Sequence, residues 1–295
     1  IDECHSHGLY RLINCVDVVR RGVMVPDAVP VVKDQGSAIV RVDAGRGSSL
    51  LAFEMGRPVL IEKAKTHGLS ALAINNSFHF SALWPEVESL ANEGLVALAL
   101  TVSHAYVAPA GGKKPLFGTN PFAFSWPRPH GKPYTFDFAT SVVARGEIEL
   151  HRRAGNALME GWAIDPQGNP TTDPTTALEG AMLPFGGYKG SALSTMIELL
   201  AGPLIGDFMG HETQEASKGQ PFHGELIIAF SPEVFLGADK AHYFNNAEKL
   251  FDDIQSQGAR LPSQRRYEAR ERSLRNGVSI PAALYTELKQ LMNHS

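Results

Sequence analysis

The sequence predicts an α/β fold. Three observations carry the prediction: apolar runs of strand length, amphipathic segments of helix length between them, and short turns in place of long linkers. Residues 69–74, 95–101 and 226–230 are the apolar runs, and residues 82–92 give the first strand-helix-strand succession. No internal repeat, low-complexity tract or Gly/Ser-rich linker divides the chain.

Taken in order, residues 6–22 have helical spacing, with Leu9, Leu12, Ile13, Val16 and Val19 set for one buried face and Gly22 as the stop. Residues 26–35 are extended and turn-rich, and 39–43 alternate as a short strand. Gly45-Arg46-Gly47 is a turn into a helix over 50–68; Leu50 in the sixth position spoils any dinucleotide fingerprint. The strand at 69–74 delivers Asn75-Asn76-Ser77-Phe78-His79 to its mouth, a place where α/β proteins build sites. The N-terminal amides of the helix at 82–92 are placed to face a phosphate. Residues 107–124 are rich in Pro and Gly and end in Gly118-Thr119-Asn120-Pro121, which reads equally as a plain turn or as a clamp on a ligand.

Further on, residues 134–139 alternate and carry Asp137, an acid after a hydrophobic strand that must pair or shift its pKa. The charged run 146–153 reads as a solvated helix face without chemistry, and 166–170 as a turn. Phe185-Gly186-Gly187-Tyr188-Lys189-Gly190-Ser191 leads into a helix over 192–201. It lacks the spacing of a Walker A loop, which excludes triphosphate hydrolysis, yet a lysine in a glycine loop at a helix start suits an anionic cofactor. Residues 206–222 have loop character, 241–257 form a helix, and 280–292 form a terminal amphipathic helix. Arg260, Arg265 and Arg266 flank a proline turn, either as solvated surface or as a grip on phosphate.

The totals exclude several classes. With 295 residues, 43% hydrophobic and 20% charged, the chain is globular. A net charge of -4 with 11 histidines leaves no basic excess for nucleic acid. Two cysteines cannot build a disulfide framework in a chain of this size, which points to a reducing compartment. No apolar run approaches the ~18 residues of a membrane span, and no signal-peptide pattern is visible, so a cytoplasmic location is expected. The first residue, Ile1, already stands inside a motif, so a preceding segment is expected to be missing from this numbering.

The residues also bound the chemistry. No Cys or His spacing makes a metal site, and His-Glu-x-x-His is absent. Gly-x-Ser-x-Gly is missing, and Ser6 beside His7 is no hydrolytic pair, since adjacent helical residues do not face each other. Within Asp2-Glu3-Cys4-His5-Ser6-His7-Gly8-Leu9-Tyr10-Arg11, His7 and Arg11 share a face if the segment is helical. That joins a group titrating near neutral pH to a cation suited to a carboxylate. A polar helix start with a surface histidine fits the same residues. The set as a whole suits proton transfer to a small anionic substrate with a phosphate-bearing cofactor, and does not suit covalent catalysis.

The Ser-His-Gly-x-x-Arg run at residues 6–11 resembles the start of the malate/L-lactate dehydrogenase family of NAD(P)-dependent oxidoreductases. Blocks in the same order match it at residues 75–80, 108–112, 118–121, 137–141 and 184–190, over nearly the whole chain. Within the family the sequence is most similar to the Δ1-piperideine-2-carboxylate/Δ1-pyrroline-2-carboxylate reductases of lysine and proline metabolism. The resemblance implies a non-Rossmann fold with a mixed, mostly antiparallel sheet in a cofactor-binding domain (74–262). A second α/β domain, for substrate and dimerisation, is built from both chain ends (1–73 with 263–295), and the assembly is a homodimer.

The resemblance further implies that His7 is the acid/base group, oriented by Ser6 and an aspartate, for which Asp137 is the candidate. Arg11 holds the substrate carboxylate and Thr119 touches the substrate. His79, Phe80, Ser81, Ala82 and Leu83, then Asp137, Phe138 and Ala139, then Tyr188 and Lys189, and finally Arg260, Ser263, Arg265 and Arg266 line the cofactor. The arginines favour NADPH over NADH, because a 2'-phosphate needs cations. The expected reaction is NADPH-dependent reduction of the two cyclic imines to L-pipecolate and L-proline. Some hydroxy-acid relatives carry a lysine where this chain has Ser103-His104-Ala105, and its absence weakens a malate or lactate assignment. A 2-hydroxy-acid dehydrogenase (malate, lactate or ureidoglycolate) and a dinucleotide-binding protein without turnover are the alternatives.

Overall fold

The computed structural model describes residues 1–4, 7–216 and 222–292. Short apolar segments assemble into a seven-stranded sheet from β1 (Val31–Asp34), β2 (Ile39–Asp43), β3 (Leu69–Ser77), β4 (Val96–Thr101), β5 (Phe122–Trp126), β6 (Tyr134–Phe138) and, much later in the chain, β10 (His223–Phe230). Between them β7 (Ala163–Ile164), β8 (Pro170–Thr171) and β9 (Ala181–Met182) form a small second sheet. The large sheet has the order β1-β2-β3-β10-β4-β5-β6. β2 and β3 run parallel and the other neighbours antiparallel. The parallel pair is the one joined by a long helix, α2 (Ser49–His67), as a parallel crossover requires.

Alternation along the strands feeds two cores. Leu72 and Ile74 of β3 and Ile227 of β10 point to one face, where Phe53 and Leu60 of α2 and Leu90 of α3 (Trp84–Asn92) cover them. Ala73 and Leu226 point the other way, onto Ile197 and Ala201 of α6 (Tyr188–Ala201). Helix α2 sits close to the sheet at Gly56, where a Cβ would lie 2.8 Å from Leu72 and 2.9 Å from Val42. A third cluster, with Phe117, Ile148 and Met182, packs α4 (Arg145–Ala154) and α5 (Pro174–Glu179) on the small sheet. The remaining helices are α1 (Arg11–Arg20), α7 (Gly210–Ala216), α8 (Pro232–Leu236), α9 (Lys240–Ser256), α10 (Gln264–Asn276) and α11 (Ala282–Met292).

The α/β class and the mostly antiparallel sheet agree with expectation, and several details do not. Helix α1 starts at Arg11, because the chain before it makes tight turns, His7 N donating to Cys4 O and Arg11 N to Gly8 O. Its expected buried face is partly bare: Leu9 and Leu12 are exposed, and Val18 is the buried residue. Part of the loop expected at 206–222 is helical as α7, and 217–221 lie outside the described residues. β3 spans residue 73, so the two expected units share one sheet.

Helix α10 follows the expected proline turn and is itself unexpected. It is rich in Arg and Glu and buries only Tyr267 and Ala269, so it shows no apolar stripe. Ion pairs hold it instead. Arg266 meets Glu88 at 2.6 Å and Asp2 at 3.2 Å, and Arg270 meets Asp2 at 2.7 Å and also pairs with Glu88. Arg266 and Glu88 are each about nine-tenths buried, so removing one partner strands the other's charge. Arg266→Ala should therefore cost about 3 kcal/mol of stability in urea unfolding. An unchanged midpoint would mean that these pairs do not form in solution.

Candidate active site

Two ties fix the N-terminal segment that carries His7. Asp2 is clamped by Arg266 and Arg270, and the backbone turn at Cys4 receives the His7 amide. Cys4 Sγ lies 3.7 Å from His7 Nδ1. His7 and Arg11 both reach the same cleft, although one helix does not carry both. Ser6, the expected orienting partner, lies outside the described residues, as does His5.

Opposite them, β3 ends in a bulge. Its Asn75 and Asn76 together face the single residue Gly224 of β10, with Asn76 at φ 54°. The two asparagines serve the fold here. Asn75 Nδ2 and the Asn76 amide both donate to Asp207 at 3.0 Å, and Asn76 Nδ2 donates to Asp43. Beyond the bulge the chain presents His79, Phe80, Ser81 and Ala82 to the cleft. Leu83 is fully buried and contributes its backbone: its amide donates to Asp137 Oδ2 at 2.7 Å, and that of Trp84 at 3.1 Å.

Asp137 therefore caps the N-terminus of α3. The amides expected to face a phosphate are committed to a carboxylate. This also alters the relay expected at Asp137, whose close ionic neighbours are His79 and Glu86. Burial pushes the Asp137 carboxyl up to about 6, against the two amides and the His79 charge.

The turn at 118–120 is held from below. Glu198 of α6 accepts from Asn120 Nδ2 at 2.8 Å and from Gly210 N at 2.6 Å, and Asn120 Oδ1 accepts from Ser103 N. Asn120 is fully buried with φ 39°, so it locks the turn, while Thr119 Oγ1 meets Ser103 Oγ at 3.1 Å in the cleft. Gly118 has no room for a Cβ, which would stand 2.4 Å from Ser103 O. The turn and clamp readings thus join in one motif: a buried turn that presents a threonine.

His7, Arg11, His79, Phe80, Ser81, Ala82, Thr119, Asp137, Phe138 and Ala139 all line a single cleft of about 690 Å³. Arg260, Ser263, Arg265 and Arg266 line a neighbouring cleft of about 960 Å³, and the two share Cys4, Trp84 and Asp137. Arg260 and Arg265 are exposed, whereas the Arg266 guanidinium is spent on Glu88 and Asp2 and lies over the Trp84 ring. Tyr188 and Lys189 line neither cleft. Gly186 and Gly187, at φ 56° and 60°, turn the chain outward, and Tyr188 is 73% exposed on the first turn of α6.

Several lining residues escaped the sequence reading. His223, fully enclosed, accompanies Thr101 Oγ1 at 3.1 Å. Arg145 lies 3.9 Å over the Tyr106 ring, and Glu149 lines the same wall, so the charged run on α4 is no mere solvated face. No local pattern marks these residues; three separate segments bring them in.

The electrostatics are uneven. Burial, then Arg11, then His79 bring His7 down to about 4, which corrects the expectation of a near-neutral value. Burial likewise brings His223 down to about 3. For His79 burial acts in the same sense, but Glu86, Glu225 and Asp137 outweigh it and its pKa is raised. The cleft thus places a histidine that is neutral at pH 7 beside a cation able to hold a carboxylate. Such a pair can move a proton on a small anionic molecule. The donor set, with Arg11, Phe80 and Phe138 in one cleft and the exposed Arg260 and Arg265 in its neighbour, fits an anionic cofactor with an aromatic ring.

Fold and site define an oxidoreductase scaffold of non-Rossmann type, and comparison with known proteins agrees. The malate/L-lactate dehydrogenase family model matches residues 1–289, and the chain belongs to that family. It is 58% identical over 295 residues to Δ1-pyrroline-2-carboxylate reductase 2 of Burkholderia multivorans, covering 99% of this chain and 87% of that one. It is 57% identical over 294 residues to the Δ1-pyrroline-2-carboxylate/Δ1-piperideine-2-carboxylate reductase of Pseudomonas aeruginosa, covering 99% and 88%. The crystal structure of Δ1-piperideine-2-carboxylate reductase from Pseudomonas syringae pvar. tomato superposes with a TM-score of 0.92 at 42% identity, covering 98% of this chain and 88% of that one.

Two predictions test the geometry. Gly118→Ala should cost about 2 kcal/mol, because the turn is pinned and cannot give way. Full retention of stability would show that it can. His223 is neutral in the folded chain, so its stabilising contribution is complete above about pH 6.5 and is lost as the pH falls toward 3. Asp137 and Glu225, with raised pKa values, act in the opposite sense, so the reading is the gap in urea midpoint between wild type and His223→Gln. That gap should shrink as the pH falls. A constant gap would mean that His223 is not held neutral.

Proposed function

We propose that this chain is an NADPH-dependent reductase of Δ1-pyrroline-2-carboxylate and Δ1-piperideine-2-carboxylate, yielding L-proline and L-pipecolate. One observation carries the reading: His7, Arg11 and Thr119 converge on one cleft, whose wall is the 79–82 and 137–139 segments. The names of the relatives at 58% and 57% identity support the substrate class.

A nicotinamide dinucleotide, when bound, supplies the hydride for the C=N carbon. The chain's own residues handle charge and position. Arg11 grips the substrate carboxylate with its guanidinium fork. His7 gives a proton to the ring nitrogen, so that the C=N bond becomes CH–NH. In the free chain Arg11 and His79 keep His7 a weak base. A substrate carboxylate on Arg11 cancels one of these cations and raises the proton affinity of His7 when substrate is present. Proton uptake is thereby coupled to substrate binding. Ser6 keeps the orienting role implied by the family resemblance, and Asp137 acts by positioning the 79–83 segment rather than as a direct relay.

Thr119, steadied by Ser103, touches the substrate. No lysine stands at 103 to polarise a ketone, which fits an imine that is already easily protonated. Arg260 and Arg265, exposed at the far cleft, take the 2'-phosphate. Tyr188 and Lys189 approach the cofactor only if its end leaves the two clefts toward α6. Residues 1–73 with 263–295 act as the substrate and dimerisation unit and 74–262 as the NADP unit of a cytoplasmic homodimer. The exposed Leu9, Leu12, Leu50, Leu51 and Met55 support a subunit contact, and the cysteine usage supports a reducing compartment. No helix among the described residues is long and apolar enough to cross a membrane.

The test follows loss of NADPH absorbance with the two cyclic imines, oxaloacetate and pyruvate side by side, with His7→Ala as control. Turnover of the imines, reduced at least a hundredfold in His7→Ala, is expected. Turnover of the keto acids alone would move the chain to the 2-hydroxy-acid dehydrogenases, and cofactor binding without turnover would make it a binding protein. A second assay measures both cofactors with Arg260→Ala and Arg265→Ala. KM for NADPH should rise at least tenfold more than KM for NADH, and equal effects on both would remove the phosphate role.

A further inference from the structure

Behind the cleft wall lies a sealed cluster that the reaction as described does not use. His79 lines the cleft with one edge, and its Nε2 points away toward Glu86 of α3, 3.6 Å from Oε1. Glu225 of β10 completes the group, the donor atoms of the three lying within 4.8 Å of one another. Glu86 and Glu225 are fully buried, and the His79 side chain is 4% exposed. Neither carboxylate has a hydrogen-bond partner among the described residues, and neither does His79 Nε2. Other charged groups facing His79 are Asp137 from β6 and His7 from the N-terminal segment, and His223 of β10 also feels it.

Charge arithmetic limits the states of this cluster. Two bare carboxylates with a neutral imidazole would bury two uncompensated charges, which is prohibitive. An imidazolium with one ionised and one protonated carboxyl is neutral and leaves a donor for each contact. A divalent cation would also balance the charge. Yet among the described residues three ligand side chains converge, not the four of a closed structural centre, and the cluster is sealed against the water that an open centre keeps.

We propose that Glu86 and Glu225 are positioning residues that share one proton and hold His79 as an imidazolium in the cleft wall, where its charge sets the proton affinity of His7. This rests on the reading of His7 as the acid. The titration directions agree with the geometry. Burial, then the neighbouring Glu86 charge, push the Glu225 carboxyl up to about 8 against the pull of His79, while the carboxylates keep the His79 imidazole protonated. One proton between the two carboxyls leaves a single negative charge to face the imidazolium. A fixed positive charge facing His7 weakens its hold on a proton and makes it a stronger acid toward the bound imine.

Single and double variants consequently differ. Glu86→Gln or Glu225→Gln alone leaves one carboxyl to ionise beside a charged His79, whereas Glu86→Gln/Glu225→Gln removes both counter-ions and leaves the imidazole neutral. The experiment records long-range 1H–15N spectra of 15N-histidine-labelled protein, with His79→Gln used for assignment, beside the pH profile of kcat/KM for imine reduction. At pH 7, His79 should carry protons on both ring nitrogens in wild type and in each single variant, and on one in the double variant. The alkaline limb should move up by on the order of one pH unit in the double variant and stay in place in the single ones.

A neutral His79 in wild type overturns the proposal, even if the variants fail to fold. So does an alkaline limb that stays in place in the double variant, or one equivalent of tightly bound divalent metal in the isolated protein. Turnover retained by His7→Ala would sink the acid role of His7, and the proposed control over it, while the spectra read the charge of His79 without turnover.

Discussion

The site depends on a pairing between strands far apart in sequence. β10 inserts between β3 and β4, with Ile227 opposite Leu72 on one side and Ala99 on the other. This insertion closes the sheet and fixes where the polar end of β3 lies. Gly224 runs so close to the end of α6 that a Cβ would stand 2.4 Å from Ala201 O. Two residues of β3 must then face one of β10, and the resulting bulge directs the 77–83 segment over the sheet edge. His223 and Glu225, on either side of Gly224, enter the site only because of this pairing.

The charges divide into two working groups around that frame. The outer group, Asp2, Glu88, Arg266 and Arg270, is a mutual clamp joining the N-terminal segment, α3 and α10. The inner group, His79, Glu86, Glu225 and Asp137, lacks arginine and lysine, so its balance must be struck with protons. Both groups touch α3: Glu88 faces the clamp and Glu86 the cluster. A short helix with two buried acids is costly in isolation. Here one acid is met by guanidinium and the other by imidazole, and Asp137 caps the helix start.

The central strands were legible because they are buried on both faces and read as unbroken apolar runs. The Gly118-Thr119-Asn120 turn was visible as a turn, although its lock, Glu198, lies on a helix whose sequence gives no hint of it. Helix α10 was illegible because ion pairs hold it in place of an apolar stripe. In the same way the motif around His7 could be recognised but its proton affinity could not, since His79 and Arg11 act on it through space. Arg266 shows the opposite error. Three arginines beside a proline suggested a phosphate grip, and one of them proves to be internal mortar, a distinction that requires knowing where Glu88 and Asp2 stand.

That distinction bears on how the scaffold can change substrates. The Thr119 and Ser103 side chains meet each other in the cleft and carry no charge, so changes there act on its lining. His79 is bound on both sides, because it lines the cleft while its Nε2 meets the buried Glu86. Substitution at 86 and 225 together changes the field at the cleft without changing its shape, whereas one at 103 or 119 changes the shape and leaves the field. An imine that accepts a proton readily and a ketone that needs stronger polarisation make opposite demands on that field. The chemical step can therefore be retuned from behind the wall, independently of the residues that select the substrate.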